Sequence, residues 1–269
     1  VKRFNAFLSW LKYYVKAKTI YQIHSPLIYE MMQFILDDKR HYYVFDLIER
    51  ERTNLLADST PIKRTDFGAG SDDQNNQIST ISKIAKRSLS TPWQCRVMFR
   101  LAEFLEAQDI LELGTSLGIS TLYLAGNQNR QVTALEGDPE LSKITSQLAH
   151  KLSFQNLHSY TGPFSESIPL VLDLGNTFDL IFMDGHHLYQ PTIDYFSQIE
   201  MMTKEHTVVI IDDIHWSPGM QKAWKYIQQL KVVTQTIDLY YFGIVFFKKS
   251  FLEKQHHVVV PLKHKPLKR

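Results

Sequence analysis

Residues 110–126, Ile-Leu-Glu-Leu-Gly-Thr-Ser-Leu-Gly-Ile-Ser-Thr-Leu-Tyr-Leu-Ala-Gly, constrain this chain more than any other stretch. Ile110, Leu111 and Leu113 make a short apolar run suited to a central parallel strand, Gly114 and Gly118 let the backbone approach a ligand, and Ser120 to Leu124 begin a helix. A strand that passes through a Gly-x-x-x-Gly turn into a helix is suited to holding a nucleotide-like ligand. Glu136 ends the next apolar run, Val132 to Leu135, at roughly the interval where an acid grips ribose hydroxyls in dinucleotide-binding folds.

The rest of the chain extends this pattern. Thr91-Pro92 is a helix start, with a capping hydroxyl followed by proline in the first turn, and the periodicity carries that helix to about Ala107. Strands are expected at 109–113, 131–135, 157–160, 178–183 and 207–211. Helices between them include Pro139–Leu152, capped by Asp138, and Pro218–Leu230, capped by Ser217. This alternation predicts an α/β fold, a Rossmann-like open sheet that is mostly parallel. Val232–Ile237 and Tyr241–Phe247 are joined by a very short connection and predict a terminal hairpin with an antiparallel strand at or near the edge.

Residues 1–90 read as a helical N-terminal extension. Leu8, Leu11, Tyr14 and Val15 recur at helical spacing, and Pro26 interrupts before Leu27 to Leu36 resumes. Within it, 61–78 is rich in Gly, Asp and Asn and is expected to be a flexible loop. Its Asp66-Phe-Gly-Ala-Gly-Ser71 imitates a cofactor turn but lacks an apolar strand before it. The core domain then spans 91–250, followed by a basic C-terminal tail, 251–269.

Thirty basic side chains face twenty-eight acidic ones, so no overall field points to a nucleic acid or a membrane; only Lys263 to Arg269 is locally basic. Trp10 to Ile20 is aromatic with interspersed lysines, a pattern of an interfacial helix or, more commonly, of a helix docked on its own protein. A single cysteine, Cys95, rules out an intrachain disulfide or a cysteine-based zinc site and fits a reducing, cytoplasmic setting. No apolar run has the length needed to span a bilayer.

In open α/β sheets ligands gather beyond the carboxyl ends of the strands, and those ends are polar here. Glu112 and Gly114 close the first strand, Glu136 the second, Asp184 the fourth, and Asp212 and Asp213 the fifth; Asp184 leads into Gly185-His186-His187 and Asp213 into Ile214-His215-Trp216. On these residues the stretch from about 92 to 249 resembles the class I S-adenosylmethionine-dependent methyltransferases, and among them the metal-dependent O-methyltransferases of the catechol, caffeoyl-CoA and macrolide-sugar types. The family's first motif, Glu-x-Gly-x-x-x-Gly-x-Ser, is matched by Glu112, Gly114, Gly118 and Ser120. Its ribose-binding acid is matched by Glu136, and its turn on the adenine side by Gly162 and Phe164. Phe242 to Lys248 resembles its last antiparallel strand.

The resemblance implies S-adenosylmethionine as cofactor, with Gly114 and Ser116 lining its methionine part, Glu136 its ribose, and Asp184 close by. It also implies a divalent cation, magnesium or manganese, on Asp184, Asp212 and Asp213, whose oxygen-only ligands suit such an ion. His187 stands where the family carries its lysine or histidine base and is expected to take a hydroxyl proton; His186 and His215 would support it or touch substrate. A nicotinamide dinucleotide would require glycine at Ser116. Methylation of base amines usually goes with Asn/Asp-Pro-Pro-aromatic, where this chain has Asp184-Gly-His-His, and C5 methylation needs a cysteine nucleophile, whereas Cys95 lies in a helix. The expected function is metal-assisted O-methylation of a small hydroxylated substrate, with RNA-directed or metal-independent transfer and a non-catalytic binding protein as alternatives. The extension would cover the substrate side or form a homodimer contact. Phe4, Tyr13, Tyr14, Tyr21 and His24 would either line an aromatic pocket or form plain core.

Overall fold

The computed structural model describes residues 2–37, 39–65, 78–247, 249, 251, 253–261, 264 and 265; side chains of 2–8 and 37 lie outside that description. Helices α1 (Lys2–Lys16), α2 (Pro26–Asp37) and α3 (Tyr43–Ala57) come first. Strand β1 (Pro61–Lys63) pairs antiparallel with β2 (Ile78–Thr80), giving the expected loop two ordered ends; 66–77, with the imitation turn, lies outside the described residues. Then follow α4 (Ile81–Ser88), α5 (Pro92–Phe104), β3 (Asp109–Leu113), α6 (Ile119–Ala125), β4 (Gln131–Glu136), α7 (Pro139–Lys151), β5 (Leu157–Thr161), α8 (Phe164–Asp173), β6 (Phe178–Met183), α9 (Tyr189–Glu200), β7 (Thr203–Asp212) and α10 (Pro218–Gln229). The chain ends with β8 (Gln235–Asp238), β9 (Phe242–Phe246) and β10 (Gln255–Val258).

The caps read from the sequence are made. Thr91 accepts from Gln94 N and completes a capping box, Asp138 accepts from Glu140 N and Leu141 N, and Ser217 accepts from Met220 N. Each satisfies an amide that a first helical turn leaves open, and the following proline has no amide to lose.

The main sheet has the order β10-β8-β9-β7-β6-β3-β4-β5. Strands β3 to β7 run parallel, β9 runs antiparallel to both β7 and β8, and β10 runs parallel to β8. Alternation along each central strand divides the core. Ile110, Val132, Leu180, Phe182 and Ile210 pack on one face with α2, α3, α5, α6 and α7, while Leu111, Leu113, Leu135, Ile181 and Ile211 pack on the other with α8, α9 and α10. Ile28, Met32, Ile35 and Ile48 of the N-terminal helices share the first of these cores. The N-terminal extension is thus packed into the domain.

The C-terminal stretch read as a tail carries structure. Gln255–Val258 takes the sheet edge beside β8, Lys18 bridges to Val259, and Val259 and Val260 are buried. Among the described residues no helix is long and apolar enough to cross a membrane.

Candidate active site

Successive strands add outward from β3 in two directions, β4 and β5 on one side and β6 and β7 on the other, so the crevice opens between β3 and β6. Backbone geometry there admits only glycine at position 114. Gly114 has φ +90°, and a β-carbon would stand 1.9 Å from the carbonyl oxygen of Asp184. At Gly118, φ +82°, a β-carbon would meet the Thr145 side chain at 2.7 Å. The turn between them places Ser116 at φ 49°, with its amide donating to Glu136 Oε2 at 2.7 Å. The Asp138 amide donates to the other carboxylate oxygen at 2.9 Å, and Thr115 Oγ1 donates to Oε2 at 3.3 Å. Burial raises the Glu136 pKa even against these hydrogen bonds.

These residues border a cavity of about 700 Å³, within the range of small-molecule sites. Gly114, Ser116, Glu136, Phe164, Asp184, His187, Asp212 and Asp213 all line it. Of the other expected contacts, Glu112 and Ser120 face each other behind the wall. The Ser120 hydroxyl donates to Glu112 Oε1 at 2.5 Å, and full burial pushes the Glu112 carboxyl up to about 8. Gly118 shapes the turn, and Gly162, at φ +142°, takes a conformation suited to glycine and donates its amide to the Glu136 carbonyl. The Phe164 ring fills the space where a β-carbon at Gly185 would stand and meets Tyr195 edge-on, with centroids 5.5 Å apart.

The acids at the ends of β6 and β7 enclose a histidine. His187 Nε2 lies 3.4 Å from Asp184 Oδ1, and its Nδ1 lies 3.9 Å from Asp213 Oδ2. Burial by itself would lower the histidine pKa, but the two carboxylates outweigh it and raise it. Asp212 is buried with no hydrogen-bond partner for Oδ1, and burial followed by the charges of Asp184 and Asp213 raises its pKa. Asp213, at φ 53°, is raised to about 6, first by burial and then by Asp184, with His187 opposing. Oxygen donors in a like-charged cluster suit a hard cation. As placed, however, no group of three His, Cys, Asp or Glu side chains among the described residues is arranged to hold one.

His186, at φ 61°, also borders the cavity and packs against Phe164 and Tyr195. His215 does not reach it and instead bonds Asp238 Oδ2 through Nε2 at 2.7 Å. The aromatic residues of the extension pack as core or surface. Tyr13 donates to the Val259 carbonyl, Tyr14 donates to the His264 carbonyl, Tyr21 packs against Tyr29, and His24 is exposed; the Phe4 side chain lies outside the described residues. The cavity also takes a wall that sequence reading did not assign to it: Arg64, Arg87, Ser88, Ser90, Thr91 and Gln94, with Trp216 and Tyr241 across the other loops. Its one sequence signal is the Thr91-Pro92 helix start, whose first turn borders the cavity through Thr91 and Gln94.

Residues 111–214 match the family model described as a methyltransferase domain. The glycine turn and the strand-end acids Asp184, Asp212 and Asp213 all fall within this match, which covers less than half of the chain. Among such domains the likeness runs to O-methyltransferases. A catechol O-methyltransferase of Niastella koreensis is 27% identical over 128 residues, covering 46% of this chain and 57% of that protein. A solved methyltransferase of Podospora anserina with bound S-adenosylhomocysteine superposes with a TM-score of 0.58 at 14% identity, over 84% of this chain and 97% of that one. An O-methyltransferase from Bacillus cereus in complex with S-adenosylhomocysteine gives 0.55 at 18% identity, over 81% and 97%. The chain spans between 54% and 63% of the length of the curated relatives it matches.

Proposed function

We propose that this chain is an S-adenosylmethionine-dependent O-methyltransferase that acts on a small hydroxylated molecule with the help of a divalent cation. One observation carries the reading: a single cavity is lined by the carboxylate that ends β4 and by the set Asp184, His187 and Asp213 at the ends of β6 and β7. The likeness to proteins named as O-methyltransferases supports it.

The residues present fit the cofactor. Glycine at 114 leaves bare backbone beside the strand end, and the half-buried Glu136 carboxylate borders the cavity. Glu136 would hold ribose hydroxyls, Gly114 and Ser116 the amino-acid portion, and Gly162 and Phe164 the adenine side, with Glu112 and Ser120 bracing the turn from behind. When bound, the cofactor supplies a sulfonium methyl group open to attack. A magnesium or manganese ion, held by Asp184, Asp212 and Asp213, would supply positive charge beside the acceptor hydroxyl. The unpartnered Asp212 Oδ1 and the mutual repulsion of the acids fit that role.

His187 is the group of this chain that takes the proton. Its ring borders the cavity, and Asp184 and Asp213 stabilise the imidazolium formed when it accepts a hydroxyl proton. Holding acceptor and methyl donor in one cavity turns a bimolecular encounter into a positioned one.

The same geometry favours a second reading, transfer without a metal, because the His187 ring already stands between Asp184 and Asp213 as their counter-charge. Conversion of S-adenosylmethionine to S-adenosylhomocysteine with a panel of small hydroxylated compounds separates the two. Turnover abolished by EDTA and restored by magnesium or manganese is the expected result, and EDTA-resistant turnover would establish the metal-free reading. Methyl transfer to RNA and to none of the small acceptors would refute both.

A further inference from the structure

The balanced total charge conceals a strong segregation. Residues 1–29 carry five Lys or Arg and no Asp or Glu, residues 254–269 carry another five and none, and the rest of the chain holds twenty basic against twenty-eight acidic side chains. The fold joins these two basic ends. The Lys18 amide donates to the Val258 carbonyl at 2.7 Å, the Val260 amide returns to the Lys18 carbonyl at 3.0 Å, and Lys265 Nζ donates to the Ala17 carbonyl at 2.7 Å. Tyr13, Ala17 and Val260 form the buried seam between them. The positive character reaches neighbouring side chains: His257 is held below its ordinary pKa by burial first and then by Lys18, and His256 by burial and Lys254.

The outward side of α1 is apolar as well as basic. With Tyr13 and Ala17 turned inward, Leu11 is 41% exposed and Val15 68%. Leu11 and Val15 are one helical turn apart, as are Lys12 and Lys16, so an apolar stripe runs beside a stripe of exposed lysines. Lysines bury their stems and keep the ammonium in water, an arrangement suited to the boundary between lipid headgroups and acyl chains. A nucleic acid would be met by the charge alone and gives no reason for the exposed Leu11 and Val15.

We propose that α1, with the C-terminal segment packed against it, is a docking surface for an anionic lipid bilayer. Leu11 and Val15 enter the interface, and Lys12, Lys16 and Lys18 meet the acidic headgroups. Behind this surface, α1 packs on the C-terminal half of the sheet and on α10. Tyr13 packs against His215 and Tyr240, with centroids 6.2 and 5.2 Å away, and Gln221 of α10 reaches Ser9 at 3.4 Å. None of the docking residues lines the cavity, so lipid binding is separable from methyl transfer.

Flotation of the full chain with vesicles of phosphatidylcholine alone, or of phosphatidylcholine with phosphatidylserine, tests this. Binding is expected about tenfold or more stronger on the anionic vesicles and weakened by added salt. The K12E/K16E variant should lose about tenfold and L11S/V15S several-fold, both with wild-type melting temperatures and wild-type binding of S-adenosylmethionine. Equal binding to both vesicle types would overturn the proposal. So would single-stranded RNA bound more tightly than anionic vesicles, with L11S/V15S leaving vesicle binding unchanged.

Discussion

The His187 imidazole and the Asp184 carboxylate, three residues apart across the turn that leaves β6, approach to 3.4 Å on the wall of the cavity. Asp213, at the end of the neighbouring strand β7, reaches the other ring nitrogen at 3.9 Å. A histidine ring flanked on both sides by acids is the arrangement from which the proposed chemistry follows.

Replacing His187 by alanine is expected to lower kcat by about a hundredfold or more, with S-adenosylmethionine affinity little changed. The wild-type rate should rise with pH as the histidine loses its proton. The variant should lack that rise, which steady-state kinetics across neutral pH would record.

A β-carbon at position 114 collides with the Asp184 backbone, and neither strand end can move without breaking the ladder. Gly114→Ala is therefore expected to cost about 2–4 kcal/mol in urea unfolding, from strained backbone and overpacking together. Gly175 has a positive φ of 71° but open space around it, so Gly175→Ala should cost only about 1 kcal/mol. Equal losses would show that the close approach of β3 to β6 is not what selects glycine.

Asp179 ties the amino ends of three strands. It accepts from the amides of Gln108 and Asp109 at 2.8 and 3.0 Å and from Lys204 Nζ at 3.0 Å. Burial raises its pKa, but those hydrogen bonds and the lysine overcome it and hold the carboxyl at about 2. A carboxyl depressed in the folded state contributes stability above its unfolded pKa of about 3.9, and that contribution is lost as pH falls toward the folded value. Asp179→Asn should lower stability at neutral pH by about 1–3 kcal/mol and flatten the loss between about pH 4 and 2. Denaturant titrations at several pH values read both effects.

Glu112 has the opposite sign. Its carboxyl, raised to about 8 by burial, favours the protonated form in the fold. The protonated form's advantage is complete below the unfolded pKa of about 4.3 and is eroded as pH climbs to the folded one. Glu112→Gln should remove most of the stability lost between about pH 5 and 9, a difference that thermal melting at the two ends would show.

How much of this was legible in the sequence follows from the range of the forces involved. Strands β3, β4 and β6 were readable because a buried parallel strand is a short apolar run bounded by Gly or acid, and Asp109–Leu113 and Phe178–Met183 fall where the pattern placed them. Strand β7 begins earlier than its apolar run, because Lys204, Glu205 and His206, half-buried or exposed, extend the strand before it. Strand β10 has no such signature. Gln255-His-His-Val258 is a strand because β8 offers it an edge and Lys18 holds the chain beyond it, contacts made across the length of the chain. At the site, the acids at strand ends were visible because a motif marks them. The wall from Ser88 to Gln94 was not, since its place depends on how α4 and α5 pack. Arg52 pins that wall from α3, donating to the Ser90 carbonyl at 2.7 Å, a partner no local pattern announces.

Whether Glu136 and the glycine turn hold S-adenosylmethionine is decided by isothermal titration calorimetry of the cofactor into the wild type and Glu136→Ala. Saturable binding by the wild type and a loss of tenfold or more in the variant, about 1.4 kcal/mol or greater, are expected. Absence of binding by the wild type, or equal affinity in the two proteins, would contradict the proposed cofactor site.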